Sequence, residues 1–471
     1  MKKKTILVST AALLTIAGII FTLNFNLGEL ASSQQKKNDD LLAEQMAYHI
    51  GVQAYLYGYP LVDMYRQMHN ETHINGDQQV YASVNRFYRF PHLVTPDTGG
   101  NFRAPNNDTL YYTAWFDISS EPLIIHTPDT DGRYFTIAVT NQYSEVTHIG
   151  RRTYGTAENY YALVAPHWKG ELPAGVIAVP TETNKGWLLG RMLVDGQEDF
   201  NTAMALVNDI WLSPLGQFTR NQRPPLPRQQ EADAIDPMQD LAFFSIMNKE
   251  LKSLPPRPGE ASLIGQFDLI GIGPNRDFDA NDLSEASRKG FLRAIEDGKN
   301  IVEAATQHTI PDFNGWMISK QIGRYGFDYM HRASVVKGGY GNLPEESLYP
   351  ATVFDKNGDL LSGSKKYRLH FEAGQEPPVN GFWSLAAYKL TDYQLAENEI
   401  RRYSIGDRTP GLKRGADGSL SILLQHKKPE NENTNWLPVP AGHFMTVLRM
   451  YEPSQAALDN SYLLPRIEEI E

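Results

Sequence analysis

Two stretches of this chain repeat one strand pattern, and this repetition constrains the fold more than any other feature. "DTLYYTAWFD" (Asp108–Asp117) aligns without gaps to "ESLYPATVFD" (Glu346–Asp355), with identical Leu, Tyr, Phe and Asp. Three further pairs follow in the same order: "GRYFTIAV" with "GFWSLAAY", "ALVAPHWKGELPAG" with "ILLQHKKPENENTNWLPVPAG", and "LGRML" with "VLRMY". Four matches in one order predict two copies of a single β-domain.

Short apolar runs separated by Pro, Gly, Asp and Asn surround each copy, a rhythm typical of an antiparallel sandwich or barrel. Amphipathic stretches between the copies predict inserted helices. The predicted division is a signal peptide or membrane anchor (1–31), a tether and N-terminal helix (32–79), a first β-domain (80–195), a helical section (196–339) and a second β-domain (340–471).

The N-terminus resembles an export signal. Lys2–Lys4 precede the uncharged stretch Thr5–Leu23, and a basic region followed by an apolar segment is typical of such signals. The stretch is also long enough to span a bilayer as a helix. A cleavage site after Ala31 would place the charged Glu29 at the −3 position, where a small residue is needed. For this reason we favour an uncleaved inner-membrane anchor over a cleaved signal. We therefore expect a periplasmic or otherwise extracytoplasmic chain that meets the membrane only through residues 5–23.

Composition excludes several classes of function. A formal charge of −11 argues against nucleic-acid binding, which needs a basic surface. The absence of cysteine excludes disulfides, a thiolate nucleophile and Cys-ligated metals. The histidines are dispersed, and only His370 and His426, near strand ends of the second copy, are weak metal candidates. A histidine bonded to backbone explains each of them better, so we predict no metal and no cofactor.

Asn106, Asn107 and Asp108 stand directly before an aromatic strand that contains Tyr112. Amide and carboxylate groups beside aromatic faces can hold a polar or sugar-like ligand. The alternative is an Asx turn, in which the side chains bond nearby backbone N–H groups, and the pattern favours it narrowly. The second copy lacks the Asn-Asn pair, so a function peculiar to the first copy is expected there, with Asp108 as shared scaffold.

A second polar cluster occurs in "NEIRRYSIGDRTPG", which contains Arg402, Tyr403, Asp407 and Arg408. Paired arginines suit recognition of a carboxylate or phosphate through bidentate hydrogen bonds. The alternative, a loop fixed by an Arg–Asp ion pair, is slightly favoured.

The longer motifs resemble a known pair of bacterial domains. "APNNDTLYYTAWFDIS", "GRYFTIAVTNQYSEV" and "GWLLGRMLVDGQED" are similar to domain of unknown function 1254. "RYSIGDRTPGL", "DGSLSILLQHKKP" and "NWLPVPAGHFMTVLRMYEP" are similar to domain of unknown function 1214. The resemblance implies a mainly β fold with inserted helices, built from two jelly-roll-like antiparallel β-sandwiches related by duplication. It implies no set of catalytic residues.

Two functions remain open at this point. The first is an exported envelope protein that binds a small polar or carbohydrate-like ligand, or acts as an assembly module and forms a homo-oligomer. The second is a hydrolase whose loop carboxylates, Asp108 and Asp407, form an acid/base pair across the interface of the two β-domains. No motif demands catalysis, so we favour binding or assembly.

Overall fold

The computed structural model describes residues 2–76, 80–98, 103–222, 229–254, 257–308, 311–431 and 433–471, with the backbone alone for 2–28 and 307–308. The chain divides into two compact units. Unit 1 comprises residues 1–55 and 239–299, and unit 2 comprises residues 56–238 and 300–471. Strands are numbered β1–β20 and helices α1–α9 in chain order.

Unit 1 is helical. It contains the first part of α1 (Lys2–Thr72), with α5 (Ala242–Leu251), α6 (Ala261–Asp268) and most of α7 (Glu285–His308). The ring of Tyr55 stacks on Phe243 with 4.2 Å between centroids. A Cβ atom at Gly290 would overlap the carbonyl oxygen of Glu44, so α1 and α7 approach closely where a glycine allows it.

The first sandwich lies in unit 2. Its strands are β1 (Tyr88–Arg89), β2 (Thr109–Asp117), β3 (Leu123–Thr127), β4 (Phe135–Asn141), β5 (Val146–Gly150), β6 (Asn159–Val164), β7 (Val176–Pro180), β8 (Lys185–Leu193) and β9 (Trp211–Pro214). Helices α2 (Arg151–Tyr154), α3 (Phe200–Asn208) and α4 (Leu215–Phe218) join them. The sheets have the orders β1-β2-β8-β4-β5 and β7-β6-β3-β9, and they enclose a core that includes Phe116, Ile125 and Tyr161.

The second sandwich also lies in unit 2. Its strands are β10 (Asp312–Phe313), β11 (Trp316–Met317), β12 (Ser347–Leu348), β13 (Ala351–Thr352), β14 (Lys366–Phe371), β15 (Trp383–Lys389), β16 (Ser404–Gly406), β17 (Leu420–Gln425), β18 (Trp436–Pro438), β19 (Phe444–Tyr451) and β20 (Glu468–Ile470). Helices α8 (Tyr329–Gly338) and α9 (Gln455–Leu458) flank it. One sheet has the order β10-β11-β13-β19-β15-β16, with β12 also on β19, and the other has the order β18-β17-β14-β20.

The strand orders confirm the predicted pair of sandwiches related by duplication. The order β2-β8-β4-β5 recurs as β13-β19-β15-β16, and β7-β6-β3-β9 recurs as β18-β17-β14-β20. The register agrees as well, since Thr136 lies opposite Arg191 in the first copy and Ser384 lies opposite Arg449 in the second. Each sandwich also contains one parallel pair, β6 with β7 and β17 with β18, where a purely antiparallel fold was expected.

Residues 196–339, predicted as one helical section, belong in the structure to three different parts: the first sandwich, unit 1 and the second sandwich. Strand β9 pairs with β3, so the first sandwich continues to Pro214, past the predicted boundary at 195. Strand β11 joins β10 to β13 in the second sandwich, while residues 239–299 belong to unit 1. Strands of two to four residues are too short to show a period of two, so alternation could not reveal them.

Among the described residues, no helix combines the length and the apolarity that crossing a bilayer requires. The side chains of the predicted export segment, residues 5–23, lie outside the described part of the chain.

Candidate functional site between the two sandwiches

Asn106 forms the turn that leads into β2. Its Oδ1 accepts the backbone N–H of Asp108 at 3.0 Å and that of Thr109 at 2.9 Å, together with the Thr109 hydroxyl at 3.0 Å. Its Nδ2 donates to the hydroxyl of Tyr111 at 2.6 Å. The side chain is 2% exposed, so it acts as an Asx turn that fixes the start of the strand.

Asn107 and Tyr112 are also engaged by the first sandwich. The Nδ2 of Asn107 donates to the carbonyl oxygen of Val94. Tyr112 lies opposite Gly190 in the ladder of β2 and β8, and its ring covers the space that a Cβ atom of that glycine would occupy. Both side chains therefore help to build the sandwich.

Asp108 reaches from the first sandwich to the second. Its Oδ2 accepts the hydroxyl of Ser384 in β15 at 2.6 Å, and its Oδ1 accepts the hydroxyl of Ser404 in β16 at 2.8 Å. Hydrogen bonds to an ionised acceptor are stronger than those between neutral groups. Asp108 therefore joins the two halves of unit 2.

Glu346, the counterpart of Asp108 in the second copy, makes the reciprocal connection. Its Oε1 accepts the hydroxyl of Tyr134 at 2.9 Å, and its Oε2 pairs with Nε of Arg152 at 2.7 Å. Each carboxylate before the repeated strand thus contacts the other sandwich. The interface has the form of an isologous dimer contact within a single chain.

Two buried arginines lie at equivalent positions of this interface. Arg191 in β8 is 8% exposed and Arg449 in β19 is 3% exposed. Arg191 donates to Oδ1 of Asn342 at 2.8 Å, and Arg449 donates to the carbonyl oxygen of Ala104 at 2.5 Å. Asn342 precedes Glu346 by the same interval as Ala104 precedes Asp108, so the two contacts are also reciprocal.

His148 occupies in β5 the register position of Ser404 in β16. Its Nε2 accepts the backbone N–H of Leu343 at 3.2 Å, so its Nδ1 carries the proton and faces the hydroxyl of Thr136 at 3.1 Å. Desolvation and the nearby guanidinium of Arg152 hold the pKa of His148 well below its usual value. The imidazole is therefore a neutral part of the interface.

A pocket of about 450 Å³ opens between the two sandwiches. Its charged and aromatic lining comprises Asp129, Asp131, Arg133, Tyr134, Arg151, Asp195 and Asp199 from the first sandwich and Phe382 and Arg408 from the second. Tyr134 and Phe382 also belong to a small buried cluster that includes residues of both halves. The volume lies within the range of about 300–1,000 Å³ that is usual for small-molecule sites.

Each arginine of this pocket already has a carboxylate partner. Arg133 pairs with both oxygens of Asp199, at 2.6 Å for Nη2–Oδ1. Arg408 pairs with both oxygens of Asp195, at 3.1 Å for Nε–Oδ1, and this pair connects the two sandwiches. Arg151 pairs with Glu452 at 2.8 Å. The pocket walls therefore carry guanidinium donors and carboxylate acceptors next to one another, each held in place by its ion pair.

Two family models match the sequence: protein of unknown function DUF1254 over residues 84–214, and protein of unknown function DUF1214 over residues 346–455. The chain belongs to the paired DUF1254 and DUF1214 family. The first range ends with β9, and the second includes both β15 and β19, so the interface joins the DUF1254 domain to the DUF1214 domain.

Two solved structures are similar to this chain. The VPA0106 protein from Vibrio parahaemolyticus is 24% identical, with a TM-score of 0.69 over 90% of this chain and 100% of that one. A protein from Burkholderia cenocepacia is 13% identical, with a TM-score of 0.44 over 94% of this chain and 98% of that one. The first likeness supports the fold alone. A search of curated proteins found no match.

The predicted cluster of the DUF1214 domain is divided by the structure. Arg402 donates to the carbonyl oxygen of Trp436 at 2.9 Å, and Tyr403 contacts Glu397 at 3.4 Å. Asp407 accepts the N–H of Trp383 at 3.2 Å. Only Arg408 of this cluster lines the pocket.

His370 and His426 both have partners within the DUF1214 domain. Nδ1 of His370 lies 2.7 Å from the hydroxyl of Ser421, and Nδ1 of His426 lies 2.9 Å from the carbonyl oxygen of Val439. Neither belongs to the group of acidic side chains that the described residues bring within metal-binding distance.

Several residues of the interface were not predicted from the sequence. Arg191 and Arg449 occur at one position of the matched stretches "LGRML" and "VLRMY", where a charge repeated within an apolar strand was an available signal. The ion pair of Arg133 with Asp199 connects the residues just before β4 to the turn before α3. No local pattern indicates that pair.

Glu71, near the end of α1, is a partly buried acid of unit 2. Its Oε2 accepts the indole N–H of Trp115 at 2.7 Å. Desolvation raises the pKa of Glu71 to about 7, against the lowering effect of that hydrogen bond. The folded protein therefore holds a proton here that the unfolded chain releases near pH 4.3.

Glu71→Gln should stabilise the protein at pH 8 but not at pH 4. A carboxyl group with a raised folded pKa favours folding while protonated, and this contribution is lost as pH rises towards 7. We expect the variant to unfold with a free energy on the order of 1–3 kcal/mol higher at pH 8. Urea unfolding at both pH values measures the difference, with Glu171→Gln, at an exposed position, as the control. Equal differences at both pH values would contradict the assignment.

Proposed function

We propose that this chain binds a small polar, sugar-like ligand in the pocket between its DUF1254 and DUF1214 domains. The observation that carries the proposal is the lining by ion-paired Arg and Asp side chains from both domains. Sugar hydroxyls both donate and accept hydrogen bonds, so they suit a wall in which guanidinium and carboxylate groups alternate.

The pairing of the arginines favours a neutral ligand over an anion. Arg133, Arg151 and Arg408 each bond a carboxylate, so an incoming phosphate or carboxylate would have to compete with Asp199, Glu452 or Asp195. Asp129 and Asp131 add further negative charge to the lining. A neutral polyol displaces only water and leaves the ion pairs intact.

Arg408→Ala should weaken binding of such a ligand at least tenfold. The substitution removes donors from the pocket and frees Asp195, with little effect on folding because exposed ion pairs contribute about 0–1 kcal/mol. A panel of monosaccharides and polyols, screened by saturation-transfer NMR and then titrated calorimetrically on the full chain, measures this.

Arg414→Ala is the matched control, because Arg414 forms an exposed pair with Glu376 and does not line the pocket. It should leave binding unchanged. Absence of binding across the panel, or equal affinity in the Arg408 variant, would refute the proposal.

A hydrolase is the second candidate, and one observation favours it. Desolvation raises the pKa of Asp407 to about 6, and the charge of Asp108 adds to this effect, while the Trp383 N–H and Arg408 oppose it. Asp407 can therefore act as a general acid below pH 6. A hydrolytic activity of this kind should fall as pH rises through about 6 and disappear in Asp407→Asn and in Asp108→Asn. An activity retained in both variants excludes this pair.

A further inference from the structure

A turn in the DUF1214 domain has the spacing of a calcium-binding loop. The sequence "DKNGD" (Asp355–Asp359) places oxygen-bearing side chains at alternate positions, as calcium loops do. Oδ1 of Asp355 accepts the N–H of Asn357 at 2.8 Å and that of Asp359 at 3.0 Å. A bridge between Phe354 and Leu360 closes the turn.

A third carboxylate comes from a distant part of the chain. Glu469 lies in β20, which pairs with β14 so that Glu469 is opposite Tyr367. Asp355, Asp359 and Glu469 each offer one carboxylate oxygen, and these oxygens lie within 4.8 Å of one another. That separation allows a single cation to contact all three, since calcium–oxygen distances are about 2.3–2.6 Å.

One carboxylate oxygen of the buried member, Asp355, lacks a hydrogen-bond donor among the described residues. Asp355 is 1% exposed, and within the described residues its Oδ2 accepts no hydrogen bond. An ionised oxygen withdrawn from water without a donor or cation is costly. A bound cation supplies the missing partner, and this observation is separate from the clustering of the acids.

Cationic side chains nearby limit the affinity of the site. Lys365 pairs with Oε2 of Glu469 at 2.8 Å, which leaves one oxygen of that carboxylate. Arg466 donates to the carbonyl oxygen of Asp355 at 3.2 Å. Lys356 and Arg368 bind the neighbouring Glu468, at 2.7 Å and 3.1 Å. Affinity in the range of the weaker calcium modules, about 10⁻⁴–10⁻³ M, is therefore expected.

The first sandwich provides an internal comparison. The turn after β2 carries Asp117 and Glu121 at the places of Asp355 and Asp359. Oδ1 of Asp117 accepts both the N–H and the hydroxyl of Ser119, at 2.9 Å and 2.6 Å, and Oε2 of Glu121 accepts the N–H of Gly216 at 2.5 Å. In that copy the second acid of the turn is bonded to backbone, so the feature is specific to the DUF1214 domain.

We propose that Asp355, Asp359 and Glu469 bind a hard divalent cation, with Ca²⁺ preferred over Mg²⁺. All three ligands are carboxylates, the donors that hard cations take, and no histidine joins them in the described group. Ca²⁺ accepts an irregular set of oxygens completed by water, whereas Mg²⁺ demands near-octahedral geometry and dehydrates reluctantly.

Calorimetric titration of the metal-free full chain with CaCl₂ alone tests the site. We expect one site, weakened at least tenfold in Asp359→Asn and in Glu469→Gln, both at exposed positions that folding tolerates. Glu468→Gln, on the same strand but outside the group, should bind Ca²⁺ within twofold of the wild type. Lys365→Met should tighten binding severalfold, because it frees the second oxygen of Glu469.

Two outcomes would overturn the proposal. One is the absence of a saturable Ca²⁺ site in the wild type up to about 10 mM, well above the weakest calcium modules. The other is a site of equal affinity in Asp359→Asn and Glu469→Gln, which would place the ion elsewhere. The result is independent of the sugar pocket, because Arg408→Ala should leave Ca²⁺ binding unchanged.

Discussion

Glu346→Ala should lower the free energy of unfolding by about 1–3 kcal/mol, the cost of leaving a buried hydroxyl group without its hydrogen-bond acceptor. Glu346 is 1% exposed and receives the Tyr134 hydroxyl on one oxygen and Arg152 on the other. Its loss leaves the buried phenol of Tyr134 without an acceptor at the interface between the domains, whereas the guanidinium of Arg152, 28% exposed, remains open to water. Urea unfolding followed by tryptophan fluorescence measures the change.

The preceding residue is the matched control for this prediction. Glu345 pairs with Arg324 at 2.6 Å, but the arginine side chain is 63% exposed. Glu345→Ala should therefore cost no more than about 1 kcal/mol. Equal losses for the two adjacent glutamates would show that the reciprocal contact does not hold the domains together.

Gly190→Ala should destabilise the DUF1254 domain by about 1–3 kcal/mol or more, because the added methyl group overpacks a full core. Its Cβ would overlap the ring of Tyr112 on the adjacent strand, and Tyr112 itself is completely buried. The second copy reverses the sizes, with Pro350 and Leu448 at these two places. The larger residue of the pair is thus on β2 in the first sandwich and on β19 in the second.

A second substitution separates overpacking from a backbone effect. In Tyr112→Leu/Gly190→Ala the smaller side chain makes room for the methyl group. The double variant should therefore be more stable than the sum of the single changes predicts. Thermal unfolding of all three variants gives the coupling energy. Simple additivity would mean that the ring and the added methyl group do not meet.

Local features of this fold were readable in the sequence because their causes are local. The turn at Asn106 is made within five residues, and its amide bonds the backbone immediately ahead. The duplication was readable because both copies keep Leu, Tyr, Phe and Asp along one strand. The match of "GRYFTIAV" with "GFWSLAAY" is displaced by one residue, since Phe135 and Trp383 share a register position opposite Met192 and Met450.

Long-range features could not be predicted. Asp108 was expected to be shared scaffold, yet nothing near it in the sequence indicates Ser384 or Ser404 as partners. The parallel pairs were missed because alternation of apolar and polar residues specifies a strand and a face but not the direction of its neighbour. The pocket depends on Asp195 and Arg408, which lie in different domains.

The reciprocal interface sets an order of events during synthesis. Strands β2 to β9 are complete at Pro214, but Ser384 and Ser404, the partners of Asp108, are added much later. At about 5–20 residues per second, the ribosome needs on the order of ten seconds or more to reach them. Throughout that interval the finished first sandwich carries a face with Trp187 and Arg191 that has no second half to cover it. The nascent chain thus passes through a stage at which this apolar and charged surface is open to solvent.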